Sequence, residues 1–135
     1  PTSADGHQYK NAEFYEKKNY GYLVREKDLE NKLFDLILTN PPYISKDDNH
    51  LNNHELSYEP LNALVAANNG FADIFKIIDT SPKFLNSEGL LMIEHGHTQG
   101  NRVKNYFQQK SFDNIKQHRD INQKIRVTSA SKIKV

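Results

Sequence analysis

The chain has 135 residues, enough for one domain with a buried core. Hydrophobic residues make up 36% and charged residues 26%, and the formal net charge is +1, so composition offers no electrostatic argument for binding nucleic acid or an anionic membrane. Cysteine is absent, which excludes disulfides, thiolate metal sites and a cysteine nucleophile; no apolar run approaches the roughly 20 residues of a membrane span, and no secretory signal pattern is seen.

The first residue is Pro1 rather than Met, as expected of a chain processed, trimmed or cut from a longer product. Residues 1–32 are polar, with apolar clusters only at Phe14-Tyr15 and over residues 20–24. They read as a leader with one short strand at 20–24. The organised part is expected from Leu33 to Val135.

Leu33-Phe34-Asp35-Leu36-Ile37-Leu38 is a strand-length run that is apolar on both faces, as a central parallel strand would be. Asn40-Pro41-Pro42 ends it, because proline cannot donate to a ladder. Residues 45–57 are rich in Asp, Asn and His and read as a long surface loop, expected to be mobile until a substrate orders it. Asn68-Asn69-Gly70 marks a turn. Phe71, Ile74, Phe75 and Ile78 recur at i, i+3, i+4, i+7, the stripe of an amphipathic helix, and Pro82 should end it. Residues 86–89 read as a turn, residues 90–93 as a second buried strand, and residues 99–109 as a helix carrying Val103, Tyr106 and Phe107. Residues 112–118 and 124–133 read as two strands joined by a polar turn. The alternation predicts an α/β fold with a parallel sheet and a terminal antiparallel hairpin.

Chemistry is expected at Asn40-Pro41-Pro42-Tyr43, because open α/β sheets bind ligands beyond the carboxyl ends of their strands. An amide or exocyclic amine nitrogen is a poor nucleophile, since its lone pair is delocalised. Two hydrogen-bond acceptors on the NH2 group can turn that lone pair toward a methyl donor. Asn40 offers a side-chain carbonyl, and Pro41 a backbone carbonyl in a direction that the two prolines restrict. Tyr43 offers a flat face to a planar group. Such catalysis works by positioning and needs no charged base in the motif. The competing reading is a plain Pro-Pro turn after a strand.

Residues 34–44 as a block, the Glu59-Pro60 segment with Ala63-Leu64, Gly70-Phe71-Ala72-Asp73, residues 91–96 with Gln99, Arg119-Asp120 and Arg126-Val127 resemble, in that order, the release-factor glutamine methyltransferases. The resemblance covers about three quarters of the chain. It implies a carboxy-terminal part of a Rossmann-like class I methyltransferase sheet, with S-adenosylmethionine as methyl donor, a peptide chain release factor as protein substrate and a cytoplasmic location, and no membrane or direct nucleic-acid partner. It implies catalytic and substrate-binding roles for Asn40, Pro41, Pro42 and Tyr43, substrate binding for Glu59 and Pro60, and cofactor contacts for Asn40 and Asp28. The family's Gly-rich cofactor loop has no counterpart in residues 1–32, which hold only Gly6 and Gly21. Two alternatives stay open: an amino-methyltransferase of DNA or RNA using the same motif, and a non-catalytic remnant without the cofactor loop. His50 and His54 beside Asp47 and Glu55 read as a polar surface cluster, so no metal is expected. Glu94 reads as facing the site or as a solvated or capping carboxylate.

Overall fold

A computed structural model describes Glu13, Lys17, Lys18 and residues 32–48, 61–110 and 112–134. By contacts the chain divides into Pro1–Lys32 and Leu33–Val135. The strand read at 20–24 lies outside the described residues.

Within Leu33–Val135 the described elements are β1 (Phe34–Thr39), a helical turn at Leu61–Leu64, α1 (Ala72–Thr80), a 3-10 turn at Ser81–Lys83, β2 (Leu85–Glu94), α2 (Gly100–Gln108), β3 (Phe112–Arg119) and β4 (Ile125–Lys132). They form a mixed α/β fold around a four-stranded sheet of order β1-β2-β4-β3. β1 runs parallel to β2, and β4 is antiparallel to both β2 and β3. The terminal pair is the expected hairpin, with its second strand inserted next to β2.

Each element follows from local chemistry. α1 buries Ile74 and Ile78 completely, with Phe71 just before it also buried. It stops at Thr80 as Pro82 begins to constrain the chain, and a 3-10 turn carries the backbone into β2. α2 buries Val103 and Phe107 one turn apart. The hairpin turn is held by Asp120, whose Oδ1 accepts from the backbone N–H of Asn122 at 2.8 Å and of Lys124 at 2.9 Å. That arrangement satisfies turn amides locally.

The core gathers Leu85, Leu91 and Ile93 of β2, Ala130 of β4, Phe112 of β3 and the apolar stripes of both helices. Burying a side chain such as Leu91 or Ile93 contributes about 1.5–3 kcal/mol. The helices meet where Phe75 stacks on Tyr106, centroids 3.9 Å apart. The Tyr106 hydroxyl donates to Asp79 at 2.9 Å, and Lys110 pairs with the same carboxylate at 2.7 Å.

One expectation is corrected. Residues 86–89 do turn, with Glu88 at φ 64°, but as an irregularity inside a longer β2 rather than ahead of it. The register passes from Phe34 opposite Leu85 to Leu36 opposite Leu90. β1 is parallel as read and stands at one end of the described sheet order. Ile37 packs on the core, whereas Leu36 and Leu38, alternating to the other face, are 51% and 72% exposed. An apolar run on both faces identifies a strand without telling how many neighbours it has. No described helix is long and apolar enough to cross a membrane.

Candidate functional site

β1 ends at Thr39, level with Ile93 of β2, and the chain leaves the sheet through Asn40-Pro41-Pro42-Tyr43. Pro41 is buried, Pro42 and Tyr43 are half-buried, and Asn40 is exposed. Beyond the motif the backbone is pinned at once: Ile44 N–H donates to the Leu64 carbonyl and Ala66 N–H to the Ile44 carbonyl, both at 3.0 Å. This single parallel bridge to Val65 fixes the exit of the motif.

The next turn closes beneath it. Asn68 and Asn69 both adopt φ 54° and Gly70 φ 83°. Asparagine tolerates the left-handed region better than most residues. Gly70 is required for a second reason: a Cβ there would lie 2.1 Å from the Tyr43 carbonyl oxygen. That carbonyl accepts from Gln99 Nε2 at 2.9 Å, while Gln99 Oε1 accepts from Gly96 N–H at 2.8 Å.

The phenol of Tyr43 is held from the other side. Its hydroxyl donates to Glu94 Oε1 at 3.1 Å and accepts from an Arg126 guanidinium N–H at 3.0 Å. The guanidinium also stands 3.8 Å from Glu94 and 5.6 Å from the centre of the Tyr43 ring. Strand pairing brings these groups together, because Glu94 ends β2 opposite Val127 and the N–H of His95 donates to the Arg126 carbonyl. Burial raises the Tyr43 pKa above its ordinary value; Arg126 opposes that and Glu94 reinforces it. The phenol therefore stays protonated at neutral pH and keeps its donor for Glu94.

His95 is fully buried behind this cluster. Its Nδ1 lies 2.9 Å from the Gly96 carbonyl, which can only accept, so Nδ1 carries the proton. Nε2 then accepts from the Thr128 hydroxyl at 2.8 Å. Burial pushes the His95 pKa down, so the ring is neutral and structural.

Two clefts open beside the motif. One, of about 250 Å3, is lined by Asn40, Pro41, Pro42, Tyr43, Ala63 and Leu64, among others. The other, of about 470 Å3, is lined by Tyr43, Asn69, Phe71, His97, Gln99 and Arg126, among others. Tyr43 borders both. The four motif residues thus share one cleft, and Asn40 makes no side-chain hydrogen bond to another described residue. Asp28, Glu59 and Pro60 lie outside the described residues, as does most of the loop read at 45–57. Its start is described: Asp48 N–H donates to the Ser45 carbonyl at 3.1 Å. Sequence reasoning did not find that Glu94, Gln99 and Arg126 converge on Tyr43. The available signal was their place at element ends, with Glu94 closing a buried strand.

No family model matches the chain. Among curated proteins it is 44% identical over 95 residues to the release factor glutamine methyltransferase of Haemophilus influenzae, covering 70% of this chain and 32% of that protein. The proteins of the same name from Francisella tularensis and Escherichia coli are 43% identical over 103 residues and 42% identical over 100 residues, covering 76% and 74% of this chain and 36% of each relative. The chain therefore spans about a third of the length of the curated relatives it matches. About three quarters of this sequence is homologous to roughly a third of a release factor glutamine methyltransferase.

Proposed function

We propose that the chain is the substrate-recognising, carboxy-terminal part of an S-adenosylmethionine-dependent methyltransferase that methylates the side-chain amide nitrogen of a glutamine in a peptide chain release factor. The observation that carries this reading is the Asn40–Tyr43 motif at the carboxyl end of β1, in a sequence so similar to release factor glutamine methyltransferases. We read the sheet, with parallel β1 and β2 and antiparallel β4 between β2 and β3, as part of a Rossmann-like class I methyltransferase sheet. A cytoplasmic location follows from the same reading.

The chain's own residues hold the target. The exposed carboxamide oxygen of Asn40 and the backbone carbonyl of Pro41 accept the two N–H bonds of the glutamine amide. With both protons held, the nitrogen lone pair is turned out of conjugation and toward the methyl donor. The ring of Tyr43 bounds the planar amide. Substrate-binding roles for Glu59 and Pro60 rest on the family resemblance alone. Positioning of this kind can supply several kcal/mol of a barrier, on the order of 7–11 kcal/mol at its upper limit.

S-adenosylmethionine would supply a methyl group on a sulfonium: the N–C bond forms as the S–C bond breaks, the sulfur departs as a neutral thioether, and the amide nitrogen gives up one of its two protons to solvent. Asn40 borders the cleft such a donor would enter. Among the described residues lining that cleft there is no acidic side chain to hold a ribose. The described residues therefore fit the substrate side of the site and only part of the cofactor side; the cofactor contact for Asp28 rests on the family resemblance alone.

The test is to incubate the full-length enzyme that carries this sequence with S-adenosylmethionine and a purified release factor, then map methylation by mass spectrometry. Methyl on a glutamine side chain with wild-type sequence, and none with Asn40→Ala, is the expected result. Methyl on a nucleic-acid base in a parallel incubation, with none on the release factor, would overturn it.

A further inference from the structure

Gln99 stands just before α2, 8% exposed, and uses both ends of its carboxamide. Nε2 donates to the Tyr43 carbonyl at 2.9 Å and lies 3.5 Å from the Asn69 carbonyl, while Oε1 accepts from Gly96 N–H at 2.8 Å. Three turns meet on this one group: the exit from β1, the left-handed turn before α1, and the exit from β2. Only a side chain with a donor and an acceptor on one planar group satisfies them together. Glutamate would set an acceptor against the Tyr43 carbonyl and leave that carbonyl unpaired.

The surroundings leave the amide little freedom. A Cβ on Gly70 would lie 2.8 Å from Gln99 Nε2, and a Cβ on Gly96 would lie 3.0 Å from its Oε1. Glycine backbone therefore borders the carboxamide at close range on two sides. Tyr43 is then held at both ends, by Gln99 at its carbonyl and by Arg126 and Glu94 at its hydroxyl.

We propose that Gln99 is a positioning residue for Tyr43, fixing the backbone of the motif so that the tyrosine ring already lies in the plane the target amide must meet. The proposal rests on the reading of Asn40–Tyr43 as an amide-methylating site. Gln99 acts through Tyr43 and has no contact with substrate of its own. Loss of the carbonyl anchor lets the ring pivot about its phenol. That degrades orientation in the transition state more than affinity, so kcat falls while KM holds.

Two near-isosteric variants separate this from a general structural role. Gln99→Glu keeps the acceptor for Gly96 and removes the donor to Tyr43; Gln99→Met removes both. The full-length enzyme that carries this sequence is assayed for methyl transfer to a release factor, and the same samples are labelled with 13C in tyrosine rings, with the Tyr43 signals assigned through Tyr43→Phe. In Gln99→Glu we expect kcat at least tenfold down, KM for the release factor within threefold and the melting temperature within a few degrees. The Tyr43 ring signals should broaden or shift while those of Tyr106 do not. Wild-type kcat in Gln99→Glu, or unchanged Tyr43 signals, overturns the proposal. If the wild-type full-length enzyme transfers no methyl group, the reading of the site has failed separately. The ring signals then decide the positioning role, a change supporting it and no change overturning it. If Gln99→Glu does not fold, Gln99→Met carries the same comparison.

Discussion

Asn40 and Tyr43 are three residues apart in one motif and are held in opposite ways. Asn40 is exposed, and its side chain has no hydrogen-bond partner among the described residues. Tyr43 is half-buried, its carbonyl bound by Gln99 and its hydroxyl set between Arg126 and Glu94. On the proposed function, the contrast suits a division of labour in which the Asn40 carboxamide takes the incoming NH2 group while the aromatic wall is built in advance. Preorganisation of the wall costs nothing when the substrate arrives, because folding has already supplied it.

The comparison breaks first at Asn40. Asn40→Ala should lower methyl transfer by about 100-fold or more, roughly 3 kcal/mol in the transition state by analogy with other positioned polar groups. Stability should change by no more than about 0.5 kcal/mol, since the side chain is exposed. Steady-state kinetics and denaturant titration check both halves, and kcat within threefold of wild type would sink the assignment.

At Gly70, against the clamped end, the order reverses, with stability responding first. Gly70→Ala forces a Cβ against the Tyr43 carbonyl at a positive φ and should cost about 2–4 kcal/mol of unfolding free energy. A urea titration measures it directly. A cost below 0.5 kcal/mol would mean that the turn relaxes away from Tyr43 without penalty.

Tyr43→Phe removes the hydroxyl between Arg126 and Glu94 and should cost about 1 kcal/mol, because the pair is partly exposed and solvent weakens each bond. The expected signature is a small loss of stability with a larger loss of kcat. Equal stability and equal kcat would show the phenol anchor to be idle.

The smallest effect is a pH dependence at the base of the clamp. Burial holds the His95 pKa below its ordinary 6.5, so the folded ring stays neutral where the unfolded ring already takes a proton. The associated stability is present above pH 6.5 and is lost as pH falls through the interval down to the depressed folded value. Unfolding free energy should decline on acidification with a slope from this group of at most about 1.4 kcal/mol per pH unit. His95→Gln should flatten that part of the profile, and an unchanged profile would assign the decline elsewhere.

Much of the scaffold was legible because its signals are local. The spacing of Phe71, Ile74, Phe75 and Ile78 marks α1, Pro82 marks its end, and Asn68-Asn69-Gly70 marks the left-handed turn. The motif could be placed at the end of β1 because two prolines stop a ladder at a definite residue. Leu36 and Leu38 are as apolar as core residues, and only the assembled sheet reveals that their face is exposed and that one described strand flanks them.

The sequence by itself determined most of the described strands and helices and where the Asn40–Tyr43 motif sits, since both depend on side-chain periodicity and backbone restrictions within a few residues. Only the tertiary structure decided what Tyr43 touches. Its partners lie 51, 56 and 83 residues along the chain, at Glu94, Gln99 and Arg126. They meet because β2 runs parallel to β1 and β4 returns antiparallel beside it. Hydrogen bonds of this kind depend on the register of three strands, and register is settled by burial of the whole sheet rather than by any short stretch of residues.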